Sequence, residues 1–133
     1  MQEKELPAVM ALSYLGDAVY SLYVRERLVS MGISHAKDLN RLSLNFVTAP
    51  KQAELSKKLI PLLTEQEAGV YRRAFNHKGL SRPAHASYGE YRAATGFEAV
   101  LGALHYLGQR ERLAYLLDLI HENEFIVKEE TPK

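Results

Sequence analysis

Two long apolar segments of the sequence each contain a single carboxylate. Asp17 is the only charged residue between Leu6 and Val24, and Glu98 is the only one between Ala93 and Leu107. An unpaired carboxylate inside a protein is strongly destabilising unless a cation or hydrogen bonds compensate for the lost hydration. We therefore expect both acids to lie in the protein interior, with a compensating group opposite each of them.

Each carboxylate falls on a narrow polar face when its segment is placed on a helix of 3.6 residues per turn. The first helix has one polar line, formed by Ser13, Asp17, Ser21 and Arg25. The second helix has a comparable face, formed by Tyr91, Thr95, Glu98, Gly102 and His105. Packing the two faces together brings the acids toward each other, and the interior glycines at 16, 96 and 102 predict the close backbone approach that this packing needs.

The rest of the chain also predicts helices, because no segment of useful length alternates with a period of two residues. Ser34 and Thr48 are expected N-caps, and Thr64 with Glu67 and Ser87 with Glu90 match the capping box. The helices are expected at about 7–29, 34–46, 48–60, 64–78, 88–107 and 110–121. The predicted fold class is all-α, with six to seven helices.

Composition limits the setting of this fold. A chain of 133 residues with 47% hydrophobic content predicts one compact domain. The absence of cysteine excludes disulfides and thiolate zinc sites, and it favours a reducing compartment. The N-terminus lacks the basic and apolar regions of a secretory signal, and Pro7 and Asp17 argue against a membrane span in the first apolar segment. We therefore expect a cytoplasmic protein that does not interact with membranes.

Basic residues are concentrated in one part of the chain, although the total net charge is only +1. Residues 71–92 contain five Lys or Arg side chains and one acid, Glu90, so the rest of the chain is net negative. The five are Arg72, Arg73, Lys78, Arg82 and Arg92. This concentration is typical of a phosphate-backbone contact and equally typical of a solvated loop. His77 and His85 could add hydrogen bonds to the same surface.

Two carboxylates with hydroxyl neighbours suit a hard cation that prefers oxygen ligands. Magnesium commonly takes one or two protein carboxylates and keeps several waters. Asp17 and Glu98 are the candidate ligands, and Ser13 and Thr95 could hydrogen-bond waters around the ion. The alternative is a structural network, in which Asp17 pairs with Arg25 or another cation and Glu98 with a buried histidine or arginine.

Both acidic segments resemble motifs of the ribonuclease III family. LSYLGDAVYSLYV resembles the signature helix of that family, and TGFEAVLGALHYL resembles its second motif, in the same order along the chain. The resemblance covers roughly Leu6 to Glu124. The phrase YRAATGFEA and the basic loop before it are similar to the Mini-III branch, whose members consist of the catalytic domain alone. The resemblance implies one domain over 1–133, with its core at about 6–124 and no double-stranded-RNA-binding domain.

The resemblance also implies roles for individual residues. Asp17 and Glu98 correspond to metal ligands of the family. Ser13 stands where the larger enzymes have a glutamate and Thr95 where they have an aspartate, so the acidic cluster is halved. Tyr14 stands at the position of an aromatic residue that inserts into the partner subunit of a homodimer.

The activity implied by the resemblance is Mg²⁺-dependent cleavage of double-stranded RNA that leaves 5′-phosphate products. The implied substrate is a ribosomal RNA precursor, in 23S maturation, and the basic segment 71–92 is the candidate RNA contact. Two other functions stay open on the residues alone: a noncatalytic RNA-binding module of the same fold, and a helical adaptor for protein partners.

Overall fold

The all-helical prediction is confirmed. The computed structural model describes residues 6–79 and 85–125, and within these ranges it contains α-helices and one short 3-10 turn, without strands. The helices are α1 (Val9–Ser30), α2 (Ala36–Val47), α3 (Ala49–Leu59), α4 (Glu65–Phe75), α5 (Tyr88–Tyr106) and α6 (Arg110–Ile120). The 3-10 turn, Ile60–Leu62, follows α3 directly.

Helix α5 is the central element, packed against α1, α3 and α4. Its residues from Ala94 to Leu104 are all buried except Glu98. A helix that is apolar nearly all round has to be covered on every side, and this one is. Glu98 is thus the one incompletely covered side chain in the middle of the central helix.

Two glycines allow α1 and α5 to cross with their backbones in contact. A Cβ atom on Gly16 would overlap the carbonyl oxygen of Glu98, and one on Gly102 would overlap the carbonyl oxygen of Leu12. A Cβ atom on Gly96 would meet the ring of Tyr71 at 2.8 Å. The expected close backbone approach is confirmed at Gly16 and Gly102, which set the part of α1 that lies beside Glu98, whereas Gly96 makes room for a side chain of α4.

Most of the expected helix ends are confirmed. The Thr48 side chain accepts a hydrogen bond from the Lys51 N–H, and both capping boxes form with their reciprocal bonds. The expected cap at Ser34 is wrong, because α2 starts one residue later and its cap residue, His35, makes no side-chain cap bond. Helix α4 ends at Phe75, earlier than expected, because its last carbonyls accept bonds from Asn76 and His77 that close the final turn.

Helix α1 is only half covered, although its sequence is apolar on most sides. Tyr14, Leu22 and Val29 are 85%, 56% and 60% exposed, while Leu12, Tyr20 and Val24 are buried against the core. None of the helices in the described part of the chain has the length and apolar content needed to cross a membrane. The apolar character of α1 therefore has two sources, a buried face and an exposed one.

The α1–α5 crossing predicts opposite effects for two glycine substitutions in α5. Gly102→Ala forces a methyl group onto the Leu12 backbone, so we expect it to lower the free energy of unfolding by about 3 kcal/mol or more. Gly89→Ala adds the same methyl group where nothing lies within 4 Å, so it should be neutral or stabilise by about 0.5 kcal/mol. Urea unfolding of both variants measures the difference, and equal stabilities would contradict the close crossing.

Candidate active site

The structure brings Asp17 and Glu98 together. Asp17 follows Gly16, whose backbone contacts the backbone of Glu98, so the two acids lie at the same level of adjacent helices. Burial, contact with the Asp17 carboxyl group and its charge raise the pKa of Glu98 to about 8. Two carboxylic groups in contact resist holding two negative charges at once. At neutral pH the isolated pair therefore holds a proton.

The expectation that both acids are buried is wrong for Asp17. Its side chain is exposed, and Glu98 is half-buried. The reason is the uncovered side of α1: Ser13 and Gly16 face α5, whereas Asp17 lies at the edge of that contact, where no other helix covers it. The pair consequently spans the boundary between interior and solvent, and a ligand can reach it.

The compensating cation of the structural alternative is not found. Arg25, which was the candidate partner of Asp17, donates its Nε–H to the Ser21 hydroxyl at 3.3 Å instead. Within residues 6–79 and 85–125, neither Asp17 nor Glu98 forms an ion pair. When both acids are ionised, no cationic side chain of the described residues therefore offsets their repulsion.

Of the two hydroxyl residues expected around the acids, one contacts them. Ser13 is buried and donates its hydroxyl to Glu98 Oε1 at 3.4 Å. Thr95 is also buried, but it donates its hydroxyl to the carbonyl oxygen of Tyr91, one turn earlier in its own helix. Ser13 is thus part of the site, and the Thr95 hydroxyl proton is used within α5.

Besides Ser13, the site has a second neutral polar group, which the sequence did not predict. Gln52 of α3 is 2% exposed, and its side chain interacts with the Glu98 carboxylate. The signal was available: Gln52 falls on the same helix face as Leu55, Ser56 and Leu59, which are all buried. A glutamine in a core position should have been expected to hydrogen-bond a buried partner.

The described residues contain no cluster of three or more His, Cys, Asp or Glu side chains that could hold a metal ion. The Asp17–Glu98 pair nevertheless suits a divalent cation, because its oxygen ligands are hard and its mutual repulsion is what a cation would relieve. With two protein carboxylates as ligands, such an ion would keep its other coordination positions for water or substrate.

The basic segment divides into different environments. Arg72, Arg73 and Lys78 have exposed side chains, as do His77 and His85, and Arg82 lies outside the described residues. Arg92 is held inside the structure: it donates to the Phe75 carbonyl oxygen at 2.7 Å and to the Tyr88 hydroxyl at 3.0 Å, and it lies over the Tyr88 ring. Arg92 therefore fastens the end of α4 to the start of α5.

Tyr14 lies on the exposed face of α1, one turn from Asp17. Its side chain is 85% exposed, and Leu22 continues the same apolar face at 56% exposure. A shallow pocket of about 250 Å³ adjoins this face between α1 and α6. Its lining includes Val19, Leu22, Leu113 and Leu117.

Comparison with known proteins gives consistent matches. The family model described as "Ribonuclease III domain" matches residues 10–109. A Mini-ribonuclease 3 from Symbiobacterium thermophilum is 48% identical over 81% of this chain and 83% of its own length. Another Mini-ribonuclease 3, from Enterococcus faecalis, is 40% identical over 82% and 84%. A Fusobacterium nucleatum protein of known crystal structure superposes with a TM-score of 0.80 at 26% identity, covering 92% of this chain and 99% of that one.

The Glu98 pKa predicts an unusual pH dependence of stability. The unfolded chain ionises Glu98 near 4.5 and the folded protein near 8, so in this range the folded state binds the extra proton. Stability should fall as pH rises through this range and level off above it. Burial lowers the pKa of His121 from 6.5 to about 4, so His121 makes stability rise with pH, and this rise ends at about pH 6.5. Between about pH 6.5 and 8, the change of stability with pH therefore reports on Glu98 and not on His121.

We expect the metal-free protein to lose on the order of 1 kcal/mol of unfolding free energy per pH unit in that interval. Glu98→Gln should remove most of this slope. Glu54→Gln, which changes an exposed glutamate of α3, should keep it. Urea unfolding in EDTA at several pH values measures the slopes. Parallel profiles for the wild type and Glu98→Gln would show that the pKa of Glu98 is not raised in the folded protein.

Proposed function

The chain belongs to the ribonuclease III family, as an endoribonuclease of its Mini-ribonuclease 3 branch, and from this premise we propose that Asp17 and Glu98 form its catalytic centre. One observation carries the proposal: two carboxyl groups from different helices meet at the protein surface, with no cationic side chain of the described residues paired to them. A structural role would have required such a partner.

We propose Mg²⁺ as the cofactor, with Asp17 and Glu98 as its protein ligands. When bound, the ion supplies Lewis acidity, activates water and neutralises charge on the phosphoryl oxygens. The two protein ligands differ in their surroundings. Asp17 is exposed and would bind the ion from the solvent side. Glu98 is half-buried and accepts a hydrogen bond from the Ser13 hydroxyl. Because Glu98 holds a proton near neutral pH without the ion, ion binding must release it.

The proposed substrate is double-stranded RNA, in particular a ribosomal RNA precursor in 23S maturation. Duplex RNA is bound mainly through its phosphates, its 2′-hydroxyl groups and its shape. The exposed side chains of Arg72, Arg73 and Lys78 are the proposed phosphate contacts, together with Arg82. Arg92 supports this surface from behind, because its hydrogen bonds tie the end of α4 to α5.

We propose that the protein acts as a homodimer with Tyr14 in the interface. Because the Tyr14 side chain is 85% exposed, it has little packing within its own subunit to give up on entering a partner subunit. Burial of its ring there is favourable. Sedimentation velocity tests this proposal. A single species at the 15.0 kDa monomer mass in micromolar protein would count against it.

The catalytic assignment predicts that Asp17→Asn and Glu98→Gln each reduce cleavage of a long RNA duplex about a thousandfold in Mg²⁺. The reason is that loss of an ion-mediated stabilisation of several kcal/mol costs about a factor of ten for every 1.4 kcal/mol. Asp38→Asn, which changes an exposed carboxylate of α2 paired with Arg41, is the matched control and should cleave normally. Initial rates under single-turnover conditions measure all four proteins.

The alternative outcomes of this experiment are informative. Cleavage by Asp17→Asn at the wild-type rate would remove Asp17 from the catalytic centre. Binding of the duplex without cleavage, by the wild type and both variants, would favour the noncatalytic module. Equal cleavage in Mg²⁺ and in EDTA would exclude the metal ion from the proposal.

The RNA-contact assignment predicts a change in salt dependence. Replacing both Arg72 and Arg73 with alanine should weaken duplex binding and reduce the slope of log K against log salt by about 1 for each lost phosphate contact. Arg41→Ala, which removes an exposed arginine of α2, is the control and should leave the slope unchanged. Filter binding in Ca²⁺ at several salt concentrations gives the slopes. A double variant with the wild-type slope would exclude this surface.

A further inference from the structure

Gln52 has one of its polar atoms buried without a partner. The side chain is 2% exposed, and its Nε2 donates to the carbonyl oxygen of Val47 at 3.1 Å. Its Oε1 is the one buried side-chain acceptor or donor of the described residues that has no hydrogen-bond partner. Leaving such a group unsatisfied costs about 1–3 kcal/mol, so an unpaired Gln52 Oε1 calls for an explanation.

The orientation of the amide is set by its neighbour. Val47 is the last residue of α2, where helix carbonyls have no partner within the helix. Turning the amide over would place Oε1 against the Val47 carbonyl oxygen, and two acceptors repel each other. The NH₂ group therefore faces Val47, and Oε1 cannot be satisfied by a flip.

Helix packing places this amide beside the candidate catalytic acid. The next residue on the same face of α3, Ser56, donates its hydroxyl to the carbonyl oxygen of Ala93 on α5 at 3.1 Å. The amide NH₂ group of Gln52, which can donate to a carboxylate, acts to lower the pKa of Glu98 that burial raises. Gln52 lies one turn before Ser56 in α3, and Glu98 lies more than one turn after Ala93 in α5, so these two contacts together make α3 and α5 antiparallel here.

Glu98 is thus contacted from two of the helices that pack against α5. Ser13 and Asp17 approach it from α1, and Gln52 approaches it from α3. Ser13 and Thr95 stand where the larger enzymes of the family have acids, so this centre has fewer charges than theirs. A neutral amide that meets Glu98 from the opposite side adds a hydrogen-bonding group without adding charge.

We propose that Gln52 is a positioning residue of the catalytic centre, which fixes the Glu98 carboxylate for ion binding and offers Oε1 to a water molecule of the loaded site. This inference rests on the proposed function. Second-layer groups that orient a metal-binding side chain typically contribute a factor of 10 to 100 in metal affinity.

The test compares Gln52→Met with Ser56→Ala. Methionine keeps the length and volume of glutamine and removes both polar atoms. Ser56→Ala removes a buried hydrogen bond from the same face of the same helix, one turn from Gln52 and at a point of α5 more than one turn before Glu98. The first readout is the Mg²⁺ concentration that gives half of the maximal thermal stabilisation, measured without RNA. The second is the Mg²⁺ concentration that gives half of the maximal cleavage rate.

We expect Gln52→Met to raise both Mg²⁺ concentrations about tenfold, with much of the cleavage rate recovered at saturating Mg²⁺. Ser56→Ala should lower the melting temperature and leave both concentrations within twofold of wild type. A shift of less than twofold for Gln52→Met would overturn the inference, and so would an equal shift for Ser56→Ala, because packing alone would then explain it.

Asp17→Asn separates this inference from the proposed function. If Asp17→Asn still responds to Mg²⁺ like the wild type, the catalytic site itself is misplaced. If Asp17→Asn loses the response and Gln52→Met keeps it, only the role of Gln52 fails. Should Gln52→Met not fold, Gln52→Asn serves in its place: its amide is one methylene shorter, cannot reach both Val47 and Glu98, and should show the same tenfold shift.

Discussion

The backbone contact between α1 and α5 determines the rest of this structure. Gly16 lies against the carbonyl of Glu98, and Gly102 lies against the carbonyl of Leu12. Any larger residue at either glycine would separate the helices. Because the contact is made through the backbone of Glu98 itself, the spacing of the helices and the position of the proposed catalytic acid are set together. Packing and function cannot vary independently at this point.

The carboxylates of this protein differ in the charge of the groups around them. Glu67 is 3% exposed, yet Arg112 contacts both of its oxygens and lowers its pKa despite burial. Glu124 is held by Lys51 and Lys58, which likewise lower its pKa. Glu98 differs from both, because burial, and after it the neighbouring Asp17, raise its pKa to about 8. Glu67 and Glu124 are thus paired with basic side chains, whereas Glu98 has no such partner among the described residues, as the proposed metal site requires.

The sequence predicted most of the architecture because local signals and packing agree. The capping boxes at Thr64 and Ser87 and the glycines of α1 and α5 are local patterns with specific geometric consequences. The sequence did not predict features that depend on which side of a helix is covered by other helices. The exposure of Asp17 depends on where α5 ends its contact with α1, and the internal hydrogen bonds of Arg92 depend on the early end of α4 at Phe75. Gln52 was missed because its partners, Val47 and Glu98, come from two other elements.

The largely apolar sequence of α1 combines two proposed functions on one helix. Ser13 and Gly16 face the core, Asp17 lies at the edge of the α5 contact, and Tyr14 points to solvent from the turn between them. Residues three apart on a helix are neighbours on its surface, so a subunit that covers Tyr14 would lie within one turn of Asp17. In the proposed dimer, the apolar face that makes α1 look like a core helix would therefore hold the partner beside the catalytic acid. Association and catalysis would then share the same few turns of backbone.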